Sequence, residues 1–358
     1  MSNYIEYNDQ LAFHPGYYLK EIVVEWGVSQ EEFAKRLDTT PKTLSKIING
    51  EQRLSANIAL KLSRMLGTSA QYWLNIQAAF DVLLAEKNAG EARQEERSVL
   101  RQLGYGYFRD HFGLPALPRQ IDEQVACVRR FLKIGSLTVL RTPNLTTCFR
   151  QAAPVMDPAT VVRANAMVQI AVNASLEANA PRYDRKRFEQ AAQFALTQTR
   201  SHDGFLERVR EEFLKAGVIF VVLPNLSGSK TNGATRRVND RVVLMVNDRR
   251  LSADVFWFTL FHEIGHILSD DFGISLEGDS GSREDAADAY ARNMLIDQEG
   301  YDAFVAAGHF TPDSVTAFAE SVGRDVGIVV GRLQNDGFVR YNDSRFNSLK
   351  TRYRVAVS

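Results

Sequence analysis

The sequence predicts a mainly α-helical chain whose last part turns to α+β. Three observations predict it. Residues 14–80 are dense in helix start and stop signals, and residues 98–200 keep a helical pattern in Ala-rich and Arg-rich stretches broken at LPALP. From about 203 the texture changes: a helical run, FLERVREEFLKAG, leads into the apolar stretch VIFVVLP, a Gly/Ser/Asn-rich turn and a second apolar stretch, VVLMVND. The expected organisation is an all-α five-helix head over 1–80, a helical connecting region over 81–202, and an α+β domain with a C-terminal extension over 203–358.

Composition bounds the function. Of 358 residues, 45% are hydrophobic and 24% charged, ordinary values for a soluble globular protein with ample chain to bury a core. Lys plus Arg balance Asp plus Glu at 43 each, which excludes nucleic-acid binding by bulk charge and requires any such contact to come from local asymmetry. Cys127 and Cys148 sit in no metal-ligand spacing and are too few for a disulfide framework; they read as buried thiols in a reducing compartment. The start, MSNYIEYNDQ, has no signal pattern, and the longest apolar runs are far too short to span a bilayer. The expectation is a cytoplasmic protein with no membrane partner.

In the head, Ser29-Gln30-Glu31-Glu32 reads as a capping box, and Thr40-Pro41 as a cap followed by proline at the first helical position. Asn49-Gly50 stops that helix, and Ser55 and Ser69 start two more. Phe33, Leu37, Leu44, Ile47 and Ile48 are spaced to pack two consecutive helices together. The second of these keeps Lys42, Thr43, Lys46 and Asn49 on its other face, the side-chain types that read a major groove. Residues 39–64 hold five basic groups and one acid, whereas 1–38 hold three basic groups and seven acids, so positive charge is confined to that side. A solvated helical bundle is the bland alternative. The stretch from HPGYYLKE to SAQYWLNIQ resembles the XRE-type helix-turn-helix and, within it, the HigA-type antitoxin branch. The resemblance implies a homodimer on a palindromic double-stranded DNA operator. It implies Gln30 on phosphate, Thr40, Lys42, Thr43 and Lys46 facing bases or phosphates, and Asn49 at the end of the reading helix. Residues 86–97 (EKNAGEARQEER) read as a linker or an exposed helix.

The second half carries FTLFHEIGHIL at 258–268. On a helix, His262 and His266 lie one turn apart on one face and can share a zinc ion, with Glu263 beside them to deprotonate water. The bland alternative is a pair of core histidines with satisfied bonds. Catalytic zinc needs a third protein ligand. In SGSREDAADAYARNMLI (280–296), Ser282 and Asp285 read as a capping-box start, and Glu284 and Asp288 fall on the same side as Ala287, Ala291 and Leu295. A carboxylate on a core face is costly unless paired or metal-bound, which favours Glu284 as third ligand, with Asp288 bonding a ligand histidine. The alternative for Glu284 is an exposed first-turn acid favoured by the helix dipole.

This arrangement, HEIGH followed by E-x-x-A-D-x-Y-A, resembles the ImmA/IrrE family of zinc metallopeptidases, with a minimal gluzincin (thermolysin-like) core. The resemblance implies His262, His266 and Glu284 as ligands of one zinc per chain, Glu263 as general base, and cleavage of a DNA-binding repressor. VVLMVND (242–248) is the candidate strand for binding substrate backbone. Tyr290 and His309 are candidates for stabilising the oxyanion. The tail, VGRLQNDGFVRYNDSRFNSLKTRYRV, reads as a helix plus a small hairpin packed on this domain. Together the halves predict a DNA-binding regulator that cleaves a partner repressor or toxin. The alternative is an antitoxin-like repressor whose zinc domain is structural or sensory.

Overall fold

The computed structural model describes residues 3–142, 157–248, 252–277 and 280–353. The chain divides into two compact units, Met1–Glu95 and Glu96–Ser358.

The first unit opens with an antiparallel hairpin, β1 (Tyr4–Tyr7) and β2 (Gln10–Phe13). Its turn residues Asn8 and Asp9 take φ of 50° and 60°, left-handed conformations that these side chains tolerate better than most. Helices α1 (Pro15–Glu25), α2 (Gln30–Arg36), α3 (Pro41–Ile48) and α4 (Ala56–Leu66) follow. Then α5 (Ala70–Leu103) runs as one helix through the charged stretch 86–97. The starts are chemically marked. The Ser29, Thr40 and Ser55 hydroxyls accept from the amides of Glu32, Thr43 and Ile58. The expected box at Ser29 is half-formed, because the Glu32 carboxylate turns to Arg36 at 3.0 Å. Phe33, Leu37, Leu44, Ile47 and Ile48 are buried in one core with Leu19, Leu62 and Trp73. Gly16 lets α1 cross α3 at contact distance, since a Cβ there would sit 1.9 Å from the Ile47 carbonyl oxygen.

The second unit takes in the last turns of α5 from Glu96 and continues with α6 (Tyr105–Phe112), α7 (Ile121–Leu132), a 3-10 turn (Leu137–Arg141), α8 (Pro158–Glu177), α9 (Arg185–Thr197) and α10 (Phe205–Lys215). Next come β3 (Val218–Leu223), β4 (Thr231–Val238) and β5 (Arg241–Asn247), then α11 (Ala253–Leu268) and β6 (Ile274–Leu276). Helices α12 (Ser282–Leu295), α13 (Gln298–Ala307), α14 (Pro312–Ser321), α15 (Val326–Asn335) and α16 (Ser344–Asn347) complete it. The sheet order is β3-β5-β4-β6, with β3 parallel to β5 and the other pairs antiparallel.

Strand alternation divides the interior into two cores. Val242, Leu244 and Val246 face Trp257, Phe261 and Ile264 of α11 together with Val329 and Leu333 of α15. Val243 and Met245 face Val162, Met167 and Ile170 of α8. The helical stretch that showed no chemistry in sequence therefore covers the far face of this sheet. Each fully buried large side chain contributes about 1.5–3 kcal/mol.

Three expectations are corrected. VVLMVND is interior: β5 is hydrogen-bonded to β3 on one side and β4 on the other, so its backbone cannot accept a substrate strand. The Ser282–Asp285 box does not form, because Ser282 is already helical and Gly281, at φ 133°, occupies the cap without a side-chain bond. The tail forms α15 and α16 with no hairpin among the described residues; Arg352 makes a single bridge to Ser252. Cys127 is half-buried, and Cys148 lies outside the described residues. No helix among the described residues is long and apolar enough to cross a membrane.

Candidate metal centre and helix-turn-helix face

Helix α11 is buried on nearly every side, which places His262, Glu263 and His266 inside the unit. Gly265 lets α12 pack close: a Cβ there would lie 3.3 Å from the Ala287 Cα and 3.1 Å from the Tyr290 ring. That approach brings Glu284, 7% exposed, onto the two histidines. His262 Nε2 lies 3.1 Å from Glu284 Oε2, His266 Nε2 lies 3.4 Å from Glu284 Oε1, and the two Nε2 atoms are 3.0 Å apart.

The opposite ring nitrogens are held by carboxylates. His262 Nδ1 faces Asp288 Oδ1 at 2.8 Å, and His266 Nδ1 faces Asp271 Oδ2 at 2.9 Å. Arg292 and Arg283 in turn hold the second oxygens of Asp288 and Asp271. With the hydrogens on Nδ1, as a metal-bound pair would have them, both Nε2 atoms converge with the Glu284 carboxylate on one point. Groups drawn together in this way share a cation between them, a proton or a metal ion. The ligand atoms of His262, His266 and Glu284 lie within 4.8 Å of one another, a two-nitrogen, one-oxygen set of the type that holds zinc with a coordination position left over. The residues present thus fit the metal.

The electrostatics mark His262 and Glu284 as an ion pair. Burial pulls the His262 imidazolium down, but hydrogen bonds to Asp288 and Glu284 and the charge of Glu263 outweigh it, raising the pKa to about 9. Burial pushes Glu284 up, yet bonds and charge from both histidines hold it well below the usual carboxylate range. Glu263 is fully buried against β4, where a Cβ on Gly233 would sit 2.4 Å from its Oε1. Tyr290 packs against Gly265, its hydroxyl pushed up to about 12 chiefly by burial. His309 is exposed in the loop before α14, where its carbonyl accepts from Ser314.

A cleft of about 880 Å³ adjoins the cluster. It follows Asp254, Val255, Phe258 and Thr259 along α11, then reaches Asp288, with Asn232 and Asn247 on the sheet side.

Sequence reasoning missed Asp271 and Gly233. Asp271 follows His266 by five residues, and its amide bonds the His266 carbonyl, so the turn closing α11 delivers its carboxylate. The doublet Asp270-Asp271 directly after the helix was its only signal. Gly233 gave none, since its role depends on a strand crossing α11.

In the first unit, α2 and α3 form the bihelical turn. Gln30 is exposed at the first position of α2, and Lys42, Lys46 and Asn49 are exposed along α3, with Thr43 half-buried. The Thr40 hydroxyl is engaged as the α3 cap and lies 2.8 Å from the Thr43 hydroxyl.

Comparison with known proteins matches residues 19–73 to the helix-turn-helix family and residues 220–316 to the IrrE N-terminal-like domain. The chain is similar to the uncharacterised HTH-type transcriptional regulator YddM of Escherichia coli, 38% identical over 86 residues, covering 24% of this chain and 92% of the relative. It is also similar to antitoxin HigA-1 of Vibrio cholerae, 36% identical over 62 residues, covering 17% of this chain and 58% of that one. Among solved structures it is similar to the Pseudomonas aeruginosa antitoxin HigA with higBA promoter, with 31% identity and a TM-score of 0.22, over 22% of this chain and 87% of that one.

Proposed function

The chain belongs to the helix-turn-helix regulators through its head and carries an IrrE N-terminal-like domain behind it; from that premise we propose that it is a DNA-binding regulator whose second unit is a zinc-dependent endopeptidase acting on a partner regulatory protein. The observation that carries this reading is the convergence of His262, His266 and Glu284, with Glu263 on the same helix. Zinc bound there would supply Lewis acidity toward a scissile carbonyl. Glu263 takes the proton of the attacking water and returns it to the leaving amine. Asp288 and Asp271 fix the histidine tautomers and ring planes. The polar walls of the cleft orient an extended peptide past Phe258 toward Glu263.

On the DNA side, α3 is the reading helix. Lys42 and Lys46 meet phosphates or base edges, Asn49 lies at the helix end, and Gln30 meets phosphate at the start of α2. The Thr40 and Thr43 hydroxyls, coupled through the cap, present one polar corner to the groove. A homodimer supplies the two half-sites of an operator.

Zinc content together with cleavage tests the reading. The wild type should hold about one zinc per chain, and Glu284→Ala should lose it. Glu263→Gln should abolish cleavage of a co-encoded regulator while keeping zinc and operator binding. Undiminished cleavage by Glu263→Gln would remove the general base from the mechanism.

One observation favours a second reading, an antitoxin-like repressor with a structural or sensory zinc domain. The matched head spans 92% of the Escherichia coli relative, an HTH-type transcriptional regulator, so a chain of that kind need carry no second unit. That reading predicts operator binding and partner capture with the partner left intact.

A further inference from the structure

The end of the cleft far from the histidines carries a feature that the metal chemistry does not use. Asp254, in the first turn of α11, is 8% exposed and lines the cleft. Its Oδ2 accepts from Lys350 Nζ at 2.6 Å, while its buried Oδ1 has no hydrogen-bond partner among the described residues. The position is built for this carboxylate, since a Cβ on Gly331 would lie 2.6 Å from Oδ2. The helix dipole and Lys350 account for Oδ2 but leave Oδ1 lacking a donor, an arrangement that costs free energy until one arrives.

The surroundings specify the sign of the missing group. Asp325, a second buried carboxylate in this region, senses the Asp254 charge but lies outside the cleft lining. Among the described residues Lys350 faces Asp254 alone, and Asp325 is paired with His202 at 3.3 Å. The cleft walls add Asp203, Glu207 and Asp248. Of the three arginines lining it, Arg292 is engaged by Asp288 and Arg332 by the carbonyls of Arg292 and Ile296, while Arg352 lies exposed at the wall.

Resting on the peptidase reading, we propose that this end of the cleft is a subsite for a basic side chain of the substrate, with Asp254 at its base. The spacing sets the register. Asp254 precedes His262 by eight residues, about 12 Å along a helix. An extended peptide advances about 3.3 Å per residue. The lysine or arginine therefore falls three or four residues from the bond that is cut, and the substrate class is a polypeptide carrying that cation in an extended segment.

The test digests a randomised decapeptide mixture with the full-length, zinc-loaded protein and maps the cut bonds by mass spectrometry. Lysine and arginine should be enriched at the third or fourth residue on one side of the cut, and Asp254→Asn should abolish the enrichment. The exposed pair Asp203→Asn with Glu207→Gln, which does not disturb the Lys350 contact, should lower it about twofold. Cutting without a positional basic preference overturns the subsite and leaves the peptidase reading standing. A wild type that cuts nothing overturns the peptidase reading instead. Binding then decides the subsite: full-length Glu263→Gln is titrated with end-blocked fluorescent decapeptides differing only in arginine or norleucine. The arginine peptide should bind about tenfold tighter, as a charge-assisted bond implies. Equal affinities overturn the subsite whether or not the protein cuts.

Discussion

Gly233 on β4 and Glu263 on α11 are in direct contact: a methyl group on Gly233 would overlap the Glu263 carboxylate at 2.4–2.7 Å. Gly233→Ala should therefore displace the Glu263 carboxylate while leaving both histidines and Glu284 in place. Misplacement of a reacting group by about 1 Å lowers rates on the order of 100-fold. Cleavage should fall by about that factor with zinc content unchanged, and loss of zinc instead would show that Gly233 supports the ligands and not the base.

Asp271 and Asp288 should tune metal affinity without binding metal. Asp271→Asn and Asp288→Asn should each weaken zinc about 10–100-fold in chelator competition, whereas His266→Ala should abolish binding. Equal loss in all three variants would count against the tautomer role.

The head should loosen in mild acid. His14 is buried and caps α1, its Nδ1 accepting from the Gly16 amide at 3.0 Å. Burial lowers its pKa below the ordinary histidine value of 6.5, against smaller raising effects of Asp81 and the Ile47 carbonyl. With the folded pKa below the unfolded one, this contribution is complete above about pH 6.5 and is lost as the pH falls from there toward the folded pKa. Amide exchange across residues 15–25 of the full chain should accelerate between pH 7 and 5 beyond the intrinsic rate change. His14→Asn, which keeps a cap and removes the titration, should flatten that dependence.

Charge on α3 should appear in the salt dependence of operator binding. Lys42→Ala and Lys46→Ala should each lower the slope of log K against log salt by about 0.9 if the lysine meets phosphate. A variant that leaves the slope unchanged but relaxes sequence preference would place its lysine on a base edge instead.

Much of the site was legible because helical periodicity is local. His262, Glu263 and His266 need only their own helix, and the Glu284 carboxylate stood out as an acid on the face shared by Ala287 and Ala291. Asp271 and Gly233 were not legible, because each acts across a turn or a strand crossing that sequence spacing does not encode. The head was readable from its caps, since Ser29, Thr40 and Ser55 act within one turn. The hairpin before it went unread although Asn8-Asp9 is a turn signal, because its four-residue strands carry too few residues for an alternation to stand out. The placement of VVLMVND failed for a related reason: a run of apolar residues marks a buried strand but not its neighbours in the sheet.

The two-sided core has a practical corollary for anyone dissecting the protein. The segment 220–316 that matches the IrrE N-terminal-like domain excludes α8, which covers one face of the sheet, and α15, which supplies Val329, Val330 and Leu333 to the other. It also omits Lys350 and Thr351, whose contacts with Asp254 and Ala253 fasten the first turn of α11. Cut to that length, the fragment would surface as a sticky, metal-poor precipitate, and its inactivity would report on solubility and not on chemistry.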